Sequence, residues 1–275
     1  MKPVAINYHL LRACNARCRF CFATFRDVSG RLTLAQSLSL LDALRAAGGE
    51  KLNFAGGEPT LHPHLGDLLA HARQLGFVTS IVTNGFRLPQ LLETHATALD
   101  WVGLSVDSAD EATQAALGRG EGAHVERVIT LAERCRAAGV RVKMNTVVTS
   151  LTWWEDLGSL VRRVRPERWK IFQVLPIQGQ NTGSVEDLLI SQAHFRAFIK
   201  RHQYLVAEGF EPIVEDNDAM RGSYVMIGPL GRFFGNATGR HVYSTPVLEV
   251  GVNTALAQVG FNEQKFEARG GRYAW

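Results

Sequence analysis

The chain has 275 residues, 46% of them hydrophobic and 20% charged, with a formal net charge of +4; this is long for one average domain but ordinary for a single barrel-type α/β domain with a large core. No apolar run approaches the roughly 20 residues of a membrane span, and MKPVAINYHLLRAC carries neither a signal-peptide cleavage pattern nor an amphipathic membrane-lying helix. We therefore expect a cytoplasmic protein with reduced thiols and no membrane partner; the mild basicity comes without a Lys/Arg tract interleaved with aromatics, which argues against long nucleic acid but admits a small anion.

Short apolar strands alternate with amphipathic runs of helical length from residue 4 to about 205. AINYHLL (5–11) reads as a strand, and TLAQSLSLLDALRAAG (33–48) as a helix with a glycine stop. KLNFAGG, VTSIVTNG, DWVGLSVDS, RVKMNTVVT and RWKIFQVLPI read as further strands. Between and after them, LGDLLAHARQLG, LPQLLETHA, HVERVITLAERCRAAG, WWEDLGSLVRRVR and SQAHFRAFIKRHQYLVAEG read as helices. Six β-α units without a linker imply a parallel sheet, and no GxGxxG follows the first strand. The expected fold is a partial (βα)6 TIM-type barrel over residues 1–205, with its active site at the C-terminal ends of the strands. Residues 206–275 break the rhythm with glycines, hairpin material (SYVMIGPLGRFF) and the basic tail KFEARGGRYAW. They are expected to form a C-terminal extension capping the barrel mouth.

Parallel strands are normally apolar on both faces, and their side chains alternate with period two. Here one parity is polar: Asn7 and His9, Ser105 and Asp107, Lys143 and Asn145, Arg168 and Lys170. Either these residues face solvent at an open barrel edge or they line a filled polar cavity, and the same arrangement in four strands favours the cavity. Lysines and an arginine there would suit phosphates, Arg bidentate and Lys as a point charge.

Cys14, Cys18 and Cys21 form CxxxCxxC directly after the first strand. Thiolates at this spacing can ligate three irons of a [4Fe–4S] cluster and leave the fourth open. A zinc site would need a fourth ligand, for which His9 is the nearest candidate. Cys135, inside a helical run, reads as a packing residue. The three-cysteine loop, with Phe20 before its last cysteine, resembles the signature of the radical S-adenosylmethionine enzymes. FAGGEP (54–59) supplies the glycine-rich end of strand two found in that family. The resemblance implies a partial barrel whose open iron binds S-adenosylmethionine, cleaved on reduction to a 5′-deoxyadenosyl radical. Gly56 and Gly57 would let backbone approach the ligand, with Glu58 shaping the turn. Asn84, Ser105 and Arg119 would stand near the cofactor, although Asn84-Gly85 alone is also an ordinary turn.

NYHLLRACNARCRFCF, KLNFAGGEPTL, SVDS, LGRGEG, KMNTVV, RWKIFQ, EDNDAMRGSYVMI and KFEARGGRYAW together resemble the viperin-like branch of that superfamily, above all its prokaryotic members. The resemblance implies conversion of a nucleoside triphosphate (CTP, with UTP or GTP as alternatives) into a 3′-deoxy-3′,4′-didehydro product for antiviral defence. An electron donor such as a flavodoxin or ferredoxin and a monomeric state go with it. Lys143, Asn145, Arg168 and Lys170 fall on its triphosphate-gripping motifs, with Arg269 closing from the tail. Tyr224 matches a tyrosine near the substrate ribose, a candidate proton or hydrogen donor, though it could equally be a hairpin core residue. Asn7 matches a position facing the nucleobase. The membrane-binding helix of animal relatives has no counterpart, so no lipid attachment is expected, and Gly228 stands where relatives carry Asp. Two competing readings are a radical enzyme acting on a peptide or another small molecule and a non-catalytic metal sensor. The first commonly needs auxiliary clusters, yet no cysteine follows Cys135; the second leaves GGEP and the polar strand faces unexplained.

Overall fold

The computed structural model describes residues 2–275. Strands β1 (Ala5–His9), β2 (Lys51–Ala55), β3 (Val78–Thr83), β4 (Trp101–Ser105), β5 (Arg141–Val148) and β6 (Arg168–Gln173) lie side by side in chain order, all parallel. Their connections carry α1 (Leu34–Ala46), α2 (Leu65–Gln74), α3 (Leu88–His95), α4 (Glu111–Ala116), α5 (His124–Ala137) and α6 (Gly158–Val164); α7 (Gln192–Arg201) follows β6. This is the open parallel sheet of a partial TIM-type barrel, in the order the alternating sequence pattern requires.

Local chemistry fixes the helix starts. Thr33 and Gln36 form a capping box on α1, and Asp110 and Ser191 cap α4 and α7 with side-chain acceptors. The outward parity of the strands (Ile6, Tyr8, Leu52, Phe54, Val102, Leu104, Val142, Met144, Trp169, Ile171) is fully buried beneath apolar helix residues such as Leu40, Leu41 and Leu44. Each such side chain contributes about 1.5–3 kcal/mol of transfer free energy. The helix expected from Trp153 begins only at Gly158. Residues before it have partners elsewhere: Trp153 stacks on His194 with centroids 4.1 Å apart, Glu155 accepts from Ser108 Oγ at 2.8 Å, and Asp156 accepts from the Gly158 amide at 2.8 Å.

The extension adds strands at both ends of the parallel run. β7 (Pro212–Glu215) adds in parallel to β6, a strand the sequence reading missed because it is four residues long and begins with proline. After α8 (Asn217–Met220), the expected hairpin forms as β8 (Val225–Ile227) and β9 (Arg232–Gly235). β8 pairs in parallel with β1, on the opposite edge from β7, and β10 (Val242–Pro246) completes a ten-stranded sheet. Helices α9 (Val247–Val250), α10 (Val252–Ala257) and α11 (Glu263–Ala268) precede the tail. That tail packs not at the mouth but beside the first residues of β2, β4 and β6, where Tyr273 meets Lys51, Trp101 and Arg168. No helix among the described residues is long and apolar enough to cross a membrane.

Candidate active site

The cysteine loop leaves the C-terminal end of β1 and is clamped on two sides by backbone hydrogen bonds. From the GGEP turn, the Gly57 amide donates to Leu11 O at 2.7 Å and the Glu58 amide to Ala13 O at 2.9 Å. On the other side, the Arg17 amide donates to Gly118 O at 3.0 Å and the Arg19 amide to Leu117 O at 3.1 Å. The glycines are required by closeness: a Cβ on Gly57 would lie 2.2 Å from Ala13 O, and one on Gly118, where φ is +81°, 2.2 Å from Arg17 O. The glycines therefore bring backbone against the cysteine loop, while Gly56 and Gly57 also line the cavity. Glu58 is buried and ties the turn to β3, accepting from Thr83 Oγ1 at 2.6 Å and the Asn84 amide at 2.8 Å.

All three thiols are free; Cys14 is exposed, while Cys18 and Cys21 are half-buried. Burial pushes the Cys18 thiol up to about 12 and raises Cys14 and Cys21, while the Arg119 guanidinium pulls all three down. Arg119 is held by the fully buried Asp107, which also accepts from the Val147 amide at 2.8 Å, and lies 5.5 Å over the Phe20 ring. Asn84 forms the turn, accepting from the Phe86 amide at 3.2 Å, and donates to Asn15 Oδ1 at 2.7 Å on the cysteine loop. Among the described residues no three His, Cys, Asp or Glu side chains converge as for a single metal ion. His9, the candidate fourth zinc ligand, is instead packed edge-on against Phe25 and Phe234, each at 5.3 Å. Three soft thiols on one loop, without a fourth protein ligand, fit an iron–sulfur cluster with one iron left open.

The polar parity faces inward. Asn7, His9, Ser105, Asp107, Lys143, Asn145, Arg168 and Lys170 all line one cavity of about 560 Å³, the size of a small-molecule site. At its lower end Lys143 Nζ donates to Tyr273 Oη at 2.5 Å, Lys51 donates to the same oxygen, and Arg168 lies 3.5 Å over the Tyr273 ring. Lys170 Nζ donates to Tyr224 Oη at 2.9 Å and to Glu215 Oε1 at 2.6 Å. Burial lowers the Lys51 and Lys170 ammonium groups to about 8, with neighbouring cations adding to the effect, and takes Lys143 well below its ordinary value. Several desolvated cations around one space need an anion to stabilise them.

Every candidate site residue named from the sequence lines this cavity: the cysteines and Phe20, Gly56, Gly57, Glu58, Asn84, Ser105 and Arg119 around its upper part, and Asn7, Lys143, Asn145, Arg168, Lys170, Tyr224 and Arg269 deeper in. Four side chains at the site were missed. Lys51 has the inward parity of β2, so the same rule applied to KLN would have found it, together with Asn53, which donates to Asn7 Oδ1 at 2.9 Å. Glu215 and Tyr273 carried no periodic signal, since one ends a four-residue strand and the other lies in the tail.

Residues 8–163 match the model of the radical SAM superfamily. The chain is 41% identical over 98% of its length to an S-adenosylmethionine-dependent nucleotide dehydratase of Flammeovirga pacifica, covering 96% of that protein. It is 40% identical over its full length to one of Lacinutrix mariniflava, of which it spans only 59%. It is 36% identical over 99% of its length to the S-adenosylmethionine-dependent nucleotide dehydratase RSAD2 of Oncorhynchus mykiss, covering 81% of it. Streptococcus suis SuiB bound to S-adenosylmethionine shares the fold, with a TM-score of 0.70 and 18% identity over 84% of this chain and 60% of that one. The chain belongs to the radical SAM superfamily of enzymes and, within it, to the viperin-type family of the S-adenosylmethionine-dependent nucleotide dehydratases.

Proposed function

We propose that the chain is a radical S-adenosylmethionine dehydratase, a cytoplasmic monomer that converts a ribonucleoside triphosphate into its 3′-deoxy-3′,4′-didehydro form. CTP is the favoured substrate, with UTP and GTP as alternatives. The product lacks a 3′-hydroxyl and terminates RNA synthesis, which serves antiviral (anti-phage) defence. One observation carries the reading: three free thiols and a group of desolvated cations line the same cavity. A cluster and a triphosphate can then face each other across one enclosed space.

Cys14, Cys18 and Cys21 would hold the [4Fe–4S] cluster. Phe20, Gly56, Gly57, Glu58, Asn84, Ser105 and Arg119 would surround S-adenosylmethionine. When bound, these groups supply a 5′-deoxyadenosyl radical able to remove the ribose C4′ hydrogen. Over the whole reaction the nucleotide, S-adenosylmethionine, two electrons and one proton become product, methionine, 5′-deoxyadenosine and water. Lys143, Arg168, Lys170 and Arg269 grip the phosphates, Asn145 contributes a polar contact above them, and Asn7 faces the base. Burial holds the Tyr224 phenol well above its ordinary value, so it stays protonated and can donate to the departing 3′-hydroxyl. The electrons come from outside. Arg12, Arg17, Arg26 and Arg31 are exposed on and beside the cysteine loop, which favours an acidic carrier such as a flavodoxin or ferredoxin.

The test offers all four ribonucleoside triphosphates together to the anaerobically reconstituted, reduced enzyme. One nucleotide should be consumed with formation of 5′-deoxyadenosine and a product lighter by one water. If S-adenosylmethionine is cleaved but no nucleotide changes mass, the nucleotide reading is wrong.

A further inference from the structure

Grip on phosphates does not explain why a carboxylate stands among the cations that provide it. Glu215, the last residue of β7, is fully buried. Its Oε1 accepts from Lys170 Nζ at 2.6 Å and lies 3.4 Å from Arg269 Nη1. Its Oε2 accepts the hydrogen bond of the Tyr224 hydroxyl, which itself receives one from Lys170 at 2.9 Å. Arg269 is further held 3.6 Å over the Tyr224 ring and donates to Ser223 O at 3.0 Å. β7 and β8 are the outer members of the parallel run and share no ladder. Glu215 and Tyr224, which directly precedes β8, therefore join the two ends of the parallel run, between which there is no backbone ladder.

Coulomb's law alone says that deleting an anion from a triphosphate site should tighten binding. The geometry points the other way. We propose that Glu215 is the positioning residue of the nucleotide site: its carboxylate holds Lys170, Arg269 and the Tyr224 hydroxyl in one fixed array, aimed into the cavity before the nucleotide arrives. The proposal rests on the nucleotide reading above. An amide in its place keeps one acceptor oxygen and turns a donor toward the other partner, so either Lys170 or the phenol loses its anchor. Lys170 and Arg269 are then also left facing each other uncompensated.

The groups around Lys170 come from every side of the seam: Glu215 from β7, Arg168 from its own strand, Lys143 and Lys51 from β5 and β2, Tyr224 before β8, and Arg269 after α11. Burial, Arg269 and Arg168 act downward on the Lys170 ammonium, and Glu215 acts upward. Removing the carboxylate leaves burial, Arg269 and Arg168 unopposed, so less of the Lys170 ammonium stays charged at a given pH, and acidification restores it.

The experiment titrates CTP, UTP and GTP separately into the full-length protein by calorimetry, without reconstitution, and follows turnover of the reconstituted enzyme. Glu215→Gln should bind the accepted nucleotide about tenfold more weakly near neutral pH, and the deficit should narrow as the pH is lowered. Turnover should fall further than binding, because the phenol is displaced as well. Binding by Glu215→Gln that equals or exceeds wild type overturns the proposal and leaves the nucleotide reading standing. A deficit that does not change with pH also overturns it, since that is what general loosening would give. A wild-type protein that binds none of the three overturns both. Should the Gln variant not fold, Glu215→Asp carries the test, because it keeps the charge and withdraws it by one methylene. Weaker binding with a larger loss of turnover supports the positioning role, and unchanged values for both overturn it.

Discussion

The two ends of the cavity are built by different means. At the thiol end the backbone does the holding: four amide–carbonyl bonds and two glycine contacts fix the cysteine loop between the turns after β2 and α4. At the cation end side chains hold one another: Lys51 and Lys143 share one phenol oxygen, and Lys170 and Arg269 share one carboxylate. Backbone contacts at van der Waals limits tolerate almost no change, whereas side chains around a space can rearrange. The thiol end should therefore break in an all-or-none way and the cation end by degrees.

Gly57→Ala tests this most severely. The added Cβ would meet Ala13 O at 2.2 Å and Arg12 O at 2.4 Å, both main-chain atoms with no rotamer to yield. The cysteine loop must move, at a cost on the order of 3 kcal/mol or more. We expect iron and sulfide uptake on anaerobic reconstitution to be lost, with CTP binding to the protein largely kept. Normal cluster loading would show that the close approach is not what holds the loop.

The same contrast explains what the sequence revealed. CxxxCxxC and GGEP are short, contiguous and bound by local geometry, so the cysteine spacing, with the family resemblance that GGEP completes, pointed to the thiol end. Lys143, Asn145, Arg168 and Lys170 were legible because strand parity repeats across β5 and β6. Glu215 and Tyr273 were not: each is placed by chain topology, Glu215 behind the cavity-lining Lys170, Tyr224 and Arg269 on a strand added to β6, and Tyr273 by a tail that runs beneath the strand starts. The extension was misjudged for the same reason. A four-residue strand and a non-periodic tail leave no pattern that says which end of a barrel they meet. The helix expected from Trp153 failed differently, because His194 and Ser108 outbid local propensity for its first residues.

The second expectation concerns pH and the graded end. Lys51 and Lys170 lose their protons near about 8 rather than 10.5. The phosphates need the protonated forms, so nucleotide KM should rise as pH increases through about 8, while cleavage of S-adenosylmethionine at saturating nucleotide stays flatter. Stability runs oppositely. Between about 8 and 10.5 the unfolded chain binds more protons than the folded one at these lysines, so their contribution to stability grows with pH across that window. Nucleotide should therefore raise the melting temperature most below pH about 8, where the cations carry their full charge. Lys170→Ala should raise KM by about tenfold. A KM that is level across the window, or unmoved by that substitution, would take the lysines out of the phosphate site.

The smallest expected effect is the most discriminating. Tyr273→Phe keeps the ring that lies 3.5 Å from the Arg168 guanidinium and removes only the oxygen that Lys143 and Lys51 share. Two ammonium groups then lose a neutral acceptor while the phosphates they would bind are unchanged. A hydrogen bond to a charged group is worth about 1.5–3 kcal/mol when its partner is left unsatisfied, but bound phosphate re-satisfies both lysines, so only the unliganded state is penalised. Losing that competing acceptor should lower nucleotide KM several-fold and leave kcat untouched, opposite in sign to Lys170→Ala. Steady-state kinetics on the identified nucleotide reads both constants. A raised KM would mean that the phenol oxygen itself contacts the phosphates as a donor, and a lowered kcat would mean that the cation end governs the chemistry at the thiol end, against the division drawn between them.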